Sequence, residues 1–133
     1  MELINGSIVY CATPFRMERQ TKRICDFVED HGHFPLHPFN AMPLDVYNYG
    51  RYDKRLIFKV CFGMVDISDE LWIFGIGSGS LKEYQRAKDS MKPTRSFIRV
   101  FDPDWETVLV DKPRYRENFG DLVDEILERN ESV

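Results

Sequence analysis

Asp69-Glu70-Leu71-Trp72-Ile73-Phe74-Gly75-Ile76-Gly77-Ser78-Gly79-Ser80-Leu81-Lys82-Glu83 is the stretch on which the reading of this chain turns. Glu70 to Phe74 is a short apolar run of the kind a buried strand needs. Gly75 to Ser80 holds three glycines and two serines in six positions, a composition suited to wrapping backbone N–H groups around an anion. From Leu81 the residues Lys82-Glu83-Tyr84-Gln85-Arg86-Ala87-Lys88 are good helix formers, and Met91-Lys92-Pro93 ends the helix after Asp89. Strand, Gly/Ser loop and helix in that order form the layout of a ligand site at the carboxyl edge of an open α/β sheet. Glu83 then falls in the first turn of the helix, where the dipole favours its ionised form.

Upstream, Ser7 to Cys11 is a β-branched and aromatic run that ends at Ala12-Thr13-Pro14-Phe15-Arg16, a first strand leading into a loop. Met17 to His31 carries Ile24, Phe27 and Val28 at helical spacing, with Gly32 where a C-cap belongs. His33 to Phe39 reads as a short second strand broken by prolines. Residues 40–52 show no period and read as a long loop, with Tyr47, Tyr49 and Tyr52 suggesting a functional lid that could close over a neighbouring subunit's site. Asp53 to Val65 reads as a helix, because Ile57, Val60, Cys61 and Met64 recur at i, i+3, i+4 and i+7. Downstream, Arg95 to Phe101 reads as a strand, Thr107 to Val110 as an edge strand or loop, and Tyr115 to Arg129 as a final helix. The order β-α-β-α-β-α-β implies a parallel sheet covered on both faces, in one domain spanning residues 1–133.

The formal net charge of −4 argues against a duplex nucleic-acid footprint, although a small basic pocket could still hold a phosphate. Cys11, Cys25 and Cys61 are odd in number and lack a CxxC spacing, so they read as buried thiols in a reducing compartment. His31, His33 and His37 straddle a turn and a proline-rich segment with no acidic ligand at metal-binding spacing, so no metal is expected. No apolar stretch reaches membrane-spanning length and no signal segment is legible, so a soluble cytoplasmic protein is expected.

Ile8-Val9-Tyr10-Cys11-Ala12-Thr13-Pro14-Phe15 resembles the "YxAxPF" start of the nucleoside 2-deoxyribosyltransferase-like superfamily. Asp69 to Phe74, followed by Gly79-Ser80-Leu81-Lys82-Glu83 and Ala87, resembles its later "aD-vvv … G-s-xx-E-xxx-A" block. The resemblance implies a flavodoxin/Rossmann-like three-layer sandwich with a mostly parallel sheet of four or five strands, assembled as a homodimer or higher oligomer. It further implies cleavage of a nucleoside or nucleotide N-glycosidic bond without a cofactor. Within it, Glu83 matches the nucleophile, Tyr10 the tyrosine that places it, and Asp69 the aspartate before the third strand. Pro14, Phe15 and Arg16, with Gly77, Ser78, Gly79 and Ser80, match the substrate-binding loops, and Arg16, Ser78 and Ser80 match the positions that hold a 5′-phosphate. One departure stands out: counting back eight residues from Asp69 reaches Cys61, where the superfamily places an aspartate that helps protonate the base. Asp66 and Asp53 are the nearest acids that could replace it.

The chemistry asks for a carboxylate beneath the anomeric carbon and a second group on the departing base. Each residue also has a plainer reading: Glu83 complementing a helix dipole, Ser80 forming a capping box with Glu83, and Arg16 lying in solvent. The rival functions are a nucleotide-binding or nucleotide-sensing module that lacks the chemistry, and a protein-interaction domain presenting Tyr47, Tyr49 and Tyr52.

Overall fold

A computed structural model describes residues 3–43 and 50–131. Four strands, β1 (Ile8–Ala12), β2 (Phe34–Leu36), β3 (Glu70–Ile73) and β4 (Thr94–Ser96), form a parallel sheet in the order β2-β1-β3-β4. The register sets Ile8 beside Phe34, Val9 beside Glu70, and Leu71 beside Thr94. Strand alternation then divides the core in two. Val9, Cys11, Trp72 and Phe74 face one way, onto α1 (Thr21–Asp30). Tyr10, Ala12, Leu71 and Ile73 face the other, onto α3 (Lys54–Ile67) and α4 (Ser78–Asp89). The result is an α/β three-layer sandwich of the flavodoxin/Rossmann type. On the α1 face, Phe27 lies edge-on to Phe97 at 4.8 Å and to Phe101 at 5.2 Å. These are favoured aromatic geometries, which fill the space over Trp72.

Successive connections place β2 on one side of β1 and β3–β4 on the other, so the direction of winding reverses between β1 and β3. At that switch point the segments leaving the two carboxyl ends diverge and open a cleft. The same topology explains why the loops after β1 and β3 are neighbours although they are about sixty residues apart: Nη2 of Arg16 donates to the carbonyl of Ile76 across a separation of 60 residues.

Several sequence expectations give way locally. The second strand stops at Leu36, because His37 turns the chain and caps a short helix α2 (Pro38–Ala41) by accepting from the N–H of Phe39. Pro38 takes the first helical position, where its missing donor is harmless. Residues 44–49 lie outside the described segment, and with them Tyr47 and Tyr49 of the expected lid. The fourth strand ends at Ser96, and Ile98–Phe101 forms a short helix, α5, that buries Ile98 and Phe101. Thr107 to Val110 is neither strand nor loop but part of α6 (Trp105–Asp111). The final helix is two, α7 (Arg114–Phe119) and α8 (Asp121–Glu128), broken at Gly120, whose φ of 42° interrupts the helical path. The apolar pattern runs through the break, because Phe119, Leu122, Val123 and Ile126 all reach the same core from two directions. Among the described residues no helix is long and apolar enough to cross a membrane.

The end of α4 carries a backbone cost. The N–H of Lys92 bonds to the carbonyl of Ala87 and that of Met91 to Lys88, a Schellman turn that sets Met91 at φ 60°. Glycine is at ease there, whereas a side chain crowds the backbone and gains nothing, Met91 being 91% exposed. Met91→Gly is therefore expected to stabilise the fold by roughly 0.5–1 kcal/mol, read from chemical denaturation midpoints at unchanged slope.

Candidate active site

The cleft at the switch point has a volume of about 500 Å³. Its lining includes Pro14, Phe15 and Arg16 from the β1 loop and Ile76 to Ser80 from the start of α4. Ile57, Phe58 and Cys61 of α3 form one wall, and Glu83 lies at the floor. All seven positions expected from sequence to bind substrate line this opening.

The Gly/Ser segment is held more tightly than its composition suggests. Gly77 caps α4, and Ser78, Gly79 and Ser80 form its first turn rather than a loop. A Cβ on Gly75 would lie 2.2 Å from Sδ of Met17 and 2.7 Å from Cδ of Pro14, and one on Gly77 would lie 2.8 Å from Cβ of Pro14. These glycines permit close packing of the β3 loop on the β1 loop. Ser80 does not serve as the N-cap: it is the third residue of the helix, and its hydroxyl accepts from the N–H of Gly77 at 2.9 Å and donates to the carbonyl of Gly75 at 2.8 Å. That hydroxyl shapes the turn, while Ser78 beside it is exposed.

Arg16 is not a solvated arginine. Its guanidinium forms two bonds to the carboxylate of Asp102, at 2.7 and 2.8 Å, and a third to the carbonyl of Ile76 at 2.7 Å. Asp102 is fully buried and also accepts from the N–H of Ile76 at 3.0 Å. Asp102 has no local sequence signature, since its partner lies 86 residues away. Arg16 keeps part of its edge toward the cleft, yet most of its role is to fasten the two loops.

Asp69 stands elsewhere. Its carboxylate accepts from the N–H of Ile8 at 2.8 Å, at the amino ends of β1 and β3. In a parallel sheet the residue preceding a strand is at the opposite edge from the site, so Asp69 ties strands together and has no place in this cleft. The histidines are similarly dispersed: Nδ1 of His33 accepts from the N–H of Ser7, His31 contacts the carbonyl of Phe27, and His37 caps α2. Among the described residues no three His, Cys, Asp or Glu side chains converge on a metal position.

The floor brings together Tyr10, Glu83 and Cys61. The phenol of Tyr10, itself fully buried, donates to Oε2 of Glu83, and the thiol of Cys61 hydrogen-bonds the same carboxyl. Cys61 thus occupies the neighbourhood in which the resemblance asks for an aspartate. Glu83 is only 5% exposed, and burial pushes its carboxyl up to about 8 against the pull of the Tyr10 and Cys61 hydrogen bonds. This corrects the expectation of an ionised first-turn glutamate. The helix begins at Ser78, so Glu83 is its sixth residue, beyond the turn where the end charge acts, and desolvation decides its state. Neutral Glu83 contrasts with the cations Arg16, Lys54, Lys82 and Lys112 that also line the cleft. Nζ of Lys82 sits 4.6 Å from the centre of the Phe58 ring and that of Lys112 5.9 Å from Tyr115, so two of the ammonium groups rest on aromatic faces. Sequence reading missed these lysines because they come from two separate helices and a loop.

Two outcomes are expected from these contacts. Gly75→Ala, which meets the rigid ring of Pro14, is expected to lower stability by about 1–3 kcal/mol, whereas Gly79→Ala stays within about 1 kcal/mol of wild type. Its nearest neighbour, Cε1 of Phe58, is 3.8 Å away, and both effects are read from denaturation midpoints. For Glu83, the native carboxyl titrates near 8 and the unfolded one near 4.5, so the folded state holds the extra proton between those values. Stability contributed by the group is complete below the unfolded value and falls as pH rises toward the folded one. Glu83→Gln, which keeps the shape without the titration, is expected to match wild type near pH 4 and to exceed it by about 1–3 kcal/mol at pH 7.

Compared with known proteins, the chain matches no family model, no curated protein and no solved structure.

Proposed function

We propose that this protein is an N-glycosidase or 2-deoxyribosyltransferase acting on a nucleoside or nucleotide, with Glu83 as nucleophile and Tyr10 as the group that positions it. The observation that carries the reading is a buried carboxyl, hydrogen-bonded by a buried tyrosine, at the floor of a sugar-sized cleft rimmed by cations and a helix N-terminus. In the reaction, a carboxylate oxygen attacks the anomeric carbon as the bond to the base nitrogen breaks. The bonding pair leaves with the base, which takes a proton from solvent water, and water or a second base then displaces the glutamyl ester. The phosphate of a nucleotide would meet the first-turn amides of α4 and the rim lysines. Arg16 supports that region through Asp102 and Ile76 rather than by direct pairing alone. A reducing, cytoplasmic setting suits the reading, since none of the three cysteines forms a disulfide.

A second reading is favoured by one specific observation, the neutral Glu83 beside a thiol instead of an acid. On that reading the cleft binds a nucleotide without turning it over.

The test is release of free base from a panel of nucleosides and nucleoside monophosphates by wild type and Glu83→Gln. The glycosidase reading expects turnover in wild type, rising with pH toward the Glu83 titration near 8. Loss of at least about 1,000-fold is expected in Glu83→Gln, with nucleotide affinity retained. Thermal stabilisation by nucleotides with no base released from any substrate would instead establish the binding module. Neither stabilisation nor turnover would exclude both.

A further inference from the structure

Charge is distributed unevenly over this chain. Acidic residues outnumber basic ones by 22 to 18, yet the described lining of the cleft sets Arg16, Lys54, Lys82 and Lys112 against Glu83 alone. Arg16 is neutralised in place by the buried carboxylate of Asp102. The lysines are not. Among the described residues no carboxylate lies within ion-pair distance of Lys54, Lys82 or Lys112, whereas Lys22, Arg55, Arg86 and Arg116 on the outer surface each have one. Glu83 does not offset them at neutral pH, because burial at the floor holds its carboxyl neutral. Two of the ammonium groups are also positioned: Lys82 rests on the ring of Phe58 and Lys112 on that of Tyr115, and both rings belong to the lining. An aromatic face holds a cation in place without cancelling its charge.

We propose that the cleft selects a nucleoside 5′-polyphosphate over a monophosphate, with the phosphate chain held by Lys54, Lys82 and Lys112. The nucleoside end of this ligand rests on the N-glycosidase reading above, and the phosphate end rests on the lysines. A phosphate monoester brings about 1.5–2 negative charges at pH 7, which leaves at least one of the three ammonium groups uncompensated. Each further phosphate supplies more, and compensation inside a partly enclosed cleft is stronger than in bulk water. Placement points the same way. Lys54 opens α3, Lys82 belongs to the second turn of α4 and Lys112 follows α6, so the charges stand on separate walls. A chain of phosphates can meet such charges in succession while Lys82 and Lys112 stay on their rings. Lysine suits the task, since its ammonium binds phosphate as a point charge on a flexible stem, with no planar fork to align.

Calorimetric titration without divalent metal tests it, using for each of several bases the nucleoside and its 5′-mono-, di- and triphosphate. Wild type and the full-length Glu83→Gln chain are both titrated, so that turnover does not distort the affinities. Di- and triphosphates are expected to bind at least about tenfold more tightly than the monophosphate of the same base. Lys54→Gln, Lys82→Gln and Lys112→Gln, all at exposed positions where folding is spared, are each expected to weaken the triphosphate about three- to tenfold and the monophosphate less. Lys59→Gln makes the same change of net charge on α3 outside the lining and leaves both affinities unaltered. A monophosphate bound as tightly as the triphosphate overturns the proposal, and so does an equal loss in Lys59→Gln. Inorganic tripolyphosphate that binds as tightly as a nucleoside triphosphate overturns the nucleotide assignment. The two readings fail separately: ordered binding with no base released removes the glycosidase reading alone, and base release with no preference for polyphosphates removes this proposal alone.

Discussion

The carboxylate of Asp102 is the interaction on which the working edge of this fold depends. It is fully buried, it accepts two bonds from Arg16 and one from the N–H of Ile76, and Arg16 returns a bond to the carbonyl of the same residue. One acid thereby ties the segment after β1, the segment after β3 and the end of α5 into a single unit. Removing Arg16 would strand the fully buried carboxylate, at a cost of about 3–5 kcal/mol, whereas removing Asp102 costs less because Arg16 is partly exposed. The close packing of Gly75 and Gly77 on Pro14 depends on that tie, since neither glycine contributes a side chain of its own to hold the loops together.

With the loops held, the depth of the cleft is determined by α4. Its first turn is shaped by Ser80, which closes Gly75 and Gly77 around the helix start. Its second turn carries Glu83 down to the floor against Tyr10 of β1. The depth that creates the pocket also withdraws the carboxyl from water, and withdrawal outweighs both hydrogen bonds in setting its charge. The site thus sets a carboxyl whose ionisation is resisted by burial beneath a rim that carries Arg16, Lys54, Lys82 and Lys112.

On the far side of the cleft, α3 serves two surfaces at once. Cys61 packs inward beside Glu83, while Leu56, Val60 and Ile67 point outward. Periodicity alone assigns all its apolar residues to one core, because Val60 and Cys61 are adjacent in sequence and both fit a helical repeat. Only the position of the sheet tells them apart.

Much of the architecture is legible locally. The apolar runs at Ile8 and Glu70, the helix formers after Gly79 and the absence of tight hairpin turns each call for strands and helices in alternation, and alternation with crossovers requires parallel pairing. The juxtaposition of Tyr10, Glu83 and the loops at one sheet edge follows from that order. What sequence could not supply are the decisions made by distant partners. Thr107 to Val110 have β-branched residues suited to a strand, yet the margin of β4 is taken: the N–H of Glu131 donates to the carbonyl of Ser96 and Asn130 bridges beside it. Asp69 looks functional by its neighbours, and strand direction places it at the wrong edge. Sequence by itself determined the order of elements and the residue types available to the cleft, because these depend on short-range periodicity and turn chemistry. Tertiary structure alone decided that Arg16 is claimed by Asp102, that Glu83 is neutral and that α3 keeps a bare face, because charge state and exposure are set by whatever the fold packs beside each group.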